Sequence, residues 1–267
     1  MILATGSGGL LGSALVRAGA RGVTRRDLDV TDGGAVAAVL DALRPEAVVN
    51  AAGFTAVNHA EVDPRGAWVV NARAPGVLAR LCRARGVHLV HVSTDYVLDS
   101  DAPLLDEDAP VGPRGEYARS KLAGERAALD EGATVVRLQW VYRVGHPGFL
   151  TSAVDALARG GVVRLVTDQV GCPTPADLVA PALLTCARAP VPGLFHLATG
   201  GGVSAWGWVE RAAALVGVPL RAEPVTRAGL GGAHRPARSC LDSSRFAATW
   251  GVRLPAWDVA LTLDLAG

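Results

Sequence analysis

The chain has 267 residues, half of them hydrophobic and 19% charged, with a formal net charge of +1. That length holds one large α/β domain, or a nucleotide-binding domain with a modest second lobe. The charge gives neither the basic excess nor the stripe of a nucleic-acid binder, and no apolar run reaches the roughly 20 residues that cross a membrane.

Ile2 to Ala4 is a short apolar strand, followed by the glycine-rich turn Gly6-Ser7-Gly8-Gly9-Leu10-Leu11-Gly12 and a helix from Leu10 to Ala18. A second strand covers Gly22 to Thr24. Thr31 and Asp32 are caps for a helix from Ala35 to Leu43, which Arg44-Pro45 ends. Ala47 to Asn50 is a third strand. Pro64 to Arg83 reads as one long helix with Pro75 as a point of kinking. Val87 to Ser93 is β-rich, Glu116 to Glu131 is a helix, and Thr134 to Leu138 is a strand. This alternation predicts a parallel sheet of six or seven strands covered by helices on both faces, the Rossmann-type α/β class.

The pattern loosens after Gln139. Short strands are expected near Val162 to Val166 and Gly193 to Leu197, and a strand-like stretch at Pro219 to Val225. Helices are expected at Pro175 to Ala187, Ala205 to Leu215 and Trp257 to Leu265, and an ordered loop at Arg227 to Ser239. Residues 1–138 are therefore read as mainly the nucleotide-binding domain. Residues 139–267 are read as mainly a smaller C-terminal lobe, with some segments returning to the first domain.

Cys82, Cys172, Cys186 and Cys240 form neither a C-x-x-C pair nor a cluster at zinc spacing, so no metal site is expected. They read as free thiols in a reducing cytosol. The chain enters its first strand without a basic leader or a long apolar region, and the expectation is a soluble, cytoplasmic protein.

Gly6, Gly9 and Gly12 stand between a strand and a helix. The first glycine permits a tight turn, the second a close approach to a pyrophosphate, and the third close helix–sheet packing. The helix start offers unpaired amides to phosphates, so Ser7 and Leu10 join the three glycines as cofactor contacts. At the end of the second strand stand Thr24, Arg25 and Arg26, with no carboxylate to bind both ribose hydroxyls. A guanidinium at Arg25 or Arg26 suits a 2′-phosphate, which favours NADPH, with NADH as the alternative because Asp27 and Asp29 lie close behind. Asp29 and Val30 complete the adenosine side. The small residues Ala51, Ala52 and Gly53 after the third strand let a cofactor pass over the backbone.

Tyr117 and Lys121 are four apart on one helix and share a face. A lysine beside a phenol stabilises the phenolate, and a ketone reductase needs an acid to protonate the carbonyl oxygen. Ser93 and Thr94 end the preceding strand, on the ligand-facing edge of a parallel sheet, and either hydroxyl suits the same oxygen.

These features in this order resemble the short-chain dehydrogenases. Closer still, the segments Ala52 to Glu61, Val92 to Val97, Tyr117 to Glu125 and Asp168 to Thr174, with Arg235-Pro236 and Leu241-Asp242, resemble the dTDP-4-dehydrorhamnose reductase family. The likeness runs from Met1 to about Leu263. It implies an extended short-chain dehydrogenase with a small lobe for a nucleotide-sugar. By the family pattern Thr94 is the reacting hydroxyl, Tyr117 the acid and Lys121 its partner. Trp140 lies against the sugar, and Arg235 and Arg238 sit in the loop over the sugar-nucleotide. Val57, Thr94 and Tyr96 join Trp140 and Arg235 in the expected pocket wall.

The expected reaction is NADPH-dependent reduction of the 4-keto group of a dTDP-linked 4-keto-6-deoxyhexose, in deoxysugar or antibiotic biosynthesis. A homodimer is compatible with it. Two alternatives stay open: a regulatory NADP-binding subunit of a partner enzyme, and a reductase of another carbonyl in secondary metabolism. The chain departs from the family at Phe54 (tyrosine), Asn58-His59 (an acidic-basic pair), Gln139 (a small hydroxyl), Arg143 (glycine) and Cys240 (arginine), of which Phe54, Asn58, Gln139 and Arg143 are read as near the sugar.

Overall fold

The computed structural model describes residues 1–100 and 102–266. Its first half runs β1 (Ile2–Thr5), α1 (Leu10–Arg17), β2 (Arg21–Val23), α2 (Gly33–Leu43) and β3 (Ala47–Asn50). Every residue of β1 and β3 is buried, as in a strand covered on both faces. α2 starts where the Asp32 carboxylate accepts the amides of Gly34 and Ala35, and it ends at Arg44, held at φ 43° ahead of Pro45.

The next stretch holds two short helices, α3 (Val57–Val62) and α4 (Pro64–Trp68), then a π turn at Val69–Arg73 and α5 (Ala74–Arg83). The reading of Pro64 to Arg83 as a single kinked α-helix is thereby corrected. Pro75 has no N–H to give the Asn71 carbonyl four residues back, so the chain widens into a π turn there. β4 (His88–Thr94), α6 (Glu116–Asp130) and β5 (Thr134–Leu138) follow.

The remaining chain is β6 (Val141–Tyr142), α7 (Phe149–Ala158), β7 (Val163–Val166), β8 (Val170–Gly171), β9 (Thr174–Pro175), α8 (Ala176–Arg188), β10 (Gly193–Leu197), β11 (Val203–Ser204), α9 (Ala205–Leu215), β12 (Ala222–Val225), α10 (Arg227–Leu230), α11 (Ser244–Trp250) and α12 (Trp257–Ala266). The segment read as a loop from Arg227 to Ser239 thus opens with the short helix α10. α8, β10 and α11 return to the sheet: β10 pairs in parallel with β5, and side chains of α8 and α11 share a core with β1 and β3.

The sheet has six strands in the order β10-β5-β4-β3-β1-β2, all parallel. Leu3, Val48, Leu89 and Val135 pack on α2 and α5, while Ile2, Ala4, Val49 and Val136 pack on α1 and α8. A third core, around Leu150, Leu157, Leu165, Trp208, Val209 and Leu261, joins α7, α9 and α12. The chain leaves β1 toward β2 on one side and resumes with β3 on the other. That places a topological switch point between β1 and β3, where doubly wound sheets open a crevice at their carboxyl ends. Among the described residues no helix is long and apolar enough to cross a membrane, and no group of three or more histidines, cysteines or acids is placed to hold a metal.

Candidate active site

A cavity of about 950 Å³ opens at the switch point, walled by the glycine loop, the ends of β3, β4 and β5, and the segment from Trp140 to Thr151. On its β1 side, Gly6 takes φ 68° and lies so close to the turn after β3 that a Cβ would stand 2.8 Å from the Ala52 backbone. Only glycine combines that dihedral with that approach. Gly9 is the N-cap of α1 and gives no side-chain cap, so the first-turn amides stay available toward the cavity. Gly6, Gly9, Leu10, Gly12, Ala51, Ala52 and Gly53 all face this space, and Arg25, Asp29 and Val30 line its far end.

Two of the residues expected at the cofactor lie off this wall. The Ser7 amide is spent on the Val23 carbonyl at 3.1 Å, and Ser7 does not line the cavity. Arg26 does not line it either, which leaves Arg25, 84% exposed and 4.0 Å from Asp29, as the guanidinium at the adenosine end.

At the cavity floor Thr94, Tyr96 and Tyr117 come together with Trp140. Tyr117 is buried and meets Tyr96 edge-on at 5.6 Å between ring centroids. Burial pushes the Tyr117 phenol well above its ordinary value, and the nearby Thr94 hydroxyl opposes that. The phenol therefore rests protonated. Lys121, one turn further along α6, is 6% exposed and lies behind this wall rather than in it. Its Nζ donates to the Val92 carbonyl at 2.6 Å. Burial lowers the ammonium to about 8, opposed by the Glu125 charge.

The choice between the two strand-end hydroxyls is made by their partners. Ser93 Oγ donates to Glu125 at 2.8 Å, beneath α6, whereas Thr94 Oγ1 stands at the Tyr117 side and donates to Asp95 at 3.2 Å. Asp95, buried in the turn after β4, was missed from sequence. It accepts from Ser239 at 2.6 Å and from Gln139 at 3.0 Å, yet burial pushes it up to about 6.

Trp140 sits at φ 40°, a left-handed conformation that costs a bulky residue of order 1–3 kcal/mol. The strain turns its indole over Gly171, where a Cβ would come within 2.7 Å of the ring, and stacks it at 5.9 Å on Trp208. With Phe149, 5.8 Å from Trp208, these rings make an apolar shelf that the sequence reading saw only in Trp140.

Val57 and Arg235 also line the cavity, while Arg238 does not. Asn58 Oδ1 accepts from the Ala233 amide at 3.1 Å and from Arg235 at 3.2 Å, so it ties α3 to that loop. Of the departures from the family pattern, Phe54 and Arg143 reach the cavity wall. Gln139 and Cys240 do not: both are buried behind it, and Gln139 bridges Asp95, Ser239 and the Cys172 amide.

One plain signal was available and passed over. Of the 26 Lys and Arg residues, Lys121 is the only lysine. Wherever a bare positive charge serves, the chain uses arginine. The exception is buried one turn along α6 from Tyr117, where a compact amine reaches the Val92 carbonyl.

The RmlD substrate binding domain profile matches residues 1–266. A dTDP-4-dehydrorhamnose reductase of Streptomyces griseus is 39% identical, over 97% of this chain and 91% of its own. A dTDP-4-keto-6-deoxy-D-glucose reductase of Streptomyces niveus is 35% identical, over 97% and 94%. The crystal structure of dTDP-4-dehydrorhamnose reductase from Bacillus anthracis in complex with NADP superposes with a TM-score of 0.94 over 99% of this chain and 98% of that one, at 24% identity. The glycine loop, the Tyr117-Lys121 helix and the full-length match agree, and the chain belongs to the RmlD substrate binding domain family, the oxidoreductase family of the dTDP-4-dehydrorhamnose reductases.

Proposed function

We propose that this protein reduces the 4-keto group of a dTDP-linked 4-keto-6-deoxyhexose with NADPH, NADH being the weaker alternative. The observation that carries the reading is that Thr94, Tyr117 and Trp140 line the same cavity as the glycine loop and the start of α1, whose first-turn amides have no side-chain cap. Those amides suit a pyrophosphate. Arg25 suits a 2′-phosphate, and Ala51 to Gly53 leave room for a cofactor over the backbone. Residues 1–138 then serve mainly the cofactor, and residues 139–267 mainly the sugar-nucleotide.

The reduced nicotinamide supplies the hydride for the ketone carbon. Thr94 holds the carbonyl oxygen. Tyr117, protonated at rest, gives its proton to that oxygen as negative charge develops there. Lys121, one turn along α6 and behind the cavity wall, would stabilise the phenolate left behind, and would reach a nicotinamide ribose only by turning its Nζ from the Val92 carbonyl. Trp140, Phe149 and Trp208 offer an apolar surface to the deoxy side of the hexose, where no hydroxyl needs a partner. Arg235 and Arg143 supply positive charge to the sugar-nucleotide diphosphate, whose burial without partners would be costly.

The test is turnover. Supplied with NADPH and dTDP-4-keto-6-deoxyhexoses differing at C3 and C5, the protein is expected to oxidise cofactor with at least one of them. Consumption of simple ketones at equal efficiency, with every dTDP-sugar untouched, would leave a general carbonyl reductase instead.

A further inference from the structure

We propose that the buried Glu125–Arg137 ion pair is a positioning element for Tyr117 and Lys121: it holds the charge of Lys121 behind the cavity wall and locks α6 onto β4 and β5. The inference rests on the reading of Tyr117 and Lys121 as the reacting pair.

Tyr117, Lys121 and Glu125 recur every fourth residue, on the face of α6 turned to the sheet. The Glu125 and Arg137 side chains are each 2% exposed. Glu125 Oε1 accepts from Arg137 at 2.6 Å, and Oε2 accepts from Arg137 Nε at 3.0 Å and from Ser93 at 2.8 Å. Arg137 turns its last nitrogen to His196 Nε2 at 3.3 Å, and His196 Nδ1 meets the Leu105 carbonyl at 3.0 Å. One carboxylate thus joins the helix of Tyr117 and Lys121, the strand that ends at Thr94, and the strand beyond it.

Stability alone does not explain the pair. An apolar pair of the same shape is often as stable as a buried ion pair or more so. What an apolar pair lacks is negative charge one turn from an ammonium that has a single oxygen partner. The other titratable groups around Lys121 do not replace it. Tyr117 on the same helix is protonated, and His91 on β4 is held neutral by burial and by the Lys121 charge. Asp95, in the turn after β4, accepts its hydrogen bonds from Ser239, Gln139 and Thr94. Arg137 on β5 is positive. Without Glu125, nothing in this set offsets the burial of the Lys121 ammonium.

Because Lys121 is the only lysine, protein grown on [13Cε]lysine gives one side-chain resonance, and its pH titration reads this group without any substrate. Two variants suffice: Glu125→Gln, and Glu125→Gln with Arg137→Met, which leaves no unpaired charge if the single variant fails to fold. The lysine midpoint of the apo protein is expected to fall by about one unit in the single variant, and by a smaller but measurable step in the double variant, where the repelling Arg137 charge goes with the carboxylate. The alkaline limb of kcat/KM should move with it, even where the double variant recovers wild-type thermal stability. An unmoved midpoint in the stable double variant overturns the inference and leaves the pair a structural tie. The lysine signal does not depend on turnover, so a wild-type protein that reduces no dTDP-sugar would refute the proposed function separately.

Discussion

Lys121 is held in its site against the preference of a buried ammonium. Burial lowers it from 10.5 to about 8. Between those values the unfolded chain binds more protons than the folded one, so stability from this group is poorest below pH 8 and recovers as pH rises toward 10.5. Lys121→Met should therefore be more stable than wild type at pH 7, by at most about 3 kcal/mol. Urea denaturation at pH 7 and at pH 10 should show the gap closing; a less stable variant at pH 7 would contradict the account. Tyr117→Phe keeps the ring and removes the proton, and should lower kcat by about 10²–10⁴-fold. Arg25→Ala should weaken NADPH by the loss of one charged contact, about 1.5–3 kcal/mol, and leave NADH binding unchanged. Equal losses for both cofactors in a fluorescence titration would remove Arg25 from the phosphate.

Tyr117, Lys121 and the glycines were legible as residues because their spacing is local chemistry. Ser93 and Thr94 were not separable, since the choice lies in Glu125, 32 residues away. Arg25 and Arg26, or Arg235 and Arg238, are equal in sequence, and only the course of the backbone puts one of each pair at the cavity.

At the scale of elements, the π turn does what a regular helix would not. The Asn71 carbonyl, released by Pro75, faces α6 at Gly124, where a Cβ would overlap it. The Asn71 side chain meanwhile accepts from the Phe54 amide at 2.8 Å and donates to the Phe54 carbonyl at 3.0 Å, which fixes the turn after β3. Gly124→Ala should push α6 off this turn. We expect a loss of about 1–3 kcal/mol in stability and a fall in kcat at temperatures where the fold is intact. Wild-type thermal stability and activity in that variant would show that the contact is soft. Proline signalled a break in this segment but not its form. The six-residue α3 was missed altogether because its N-cap, Ala56, has no capping side chain and Pro64 soon interrupts the pattern.

At the scale of the molecule, the alternation of strands and helices foretold a parallel sheet with two covered faces. Strand order was not in the pattern. β10, whose Gly193 pairs with Thr134 of β5, 59 residues earlier, looks in sequence like any short strand of the second half, yet it forms the sheet edge beside β5. Long-range pairing of that kind is decided by which buried faces meet, as Phe195 and Leu197 do with α8. The departure at Gln139 was likewise misplaced, because a residue just past a strand end can turn outward to the cavity or back into the core.

The central claim is that this cavity delivers a hydride to C4 of a nucleotide-linked sugar. Mass spectrometry of the product and its fragments, formed from [4,4-2H2]NADPH and a dTDP-4-keto-6-deoxyhexose, tests it most directly. The account predicts one deuterium, at C4 of the hexose, in the wild-type product. Deuterium at another carbon, or no labelled sugar while the cofactor stays bound, would contradict it.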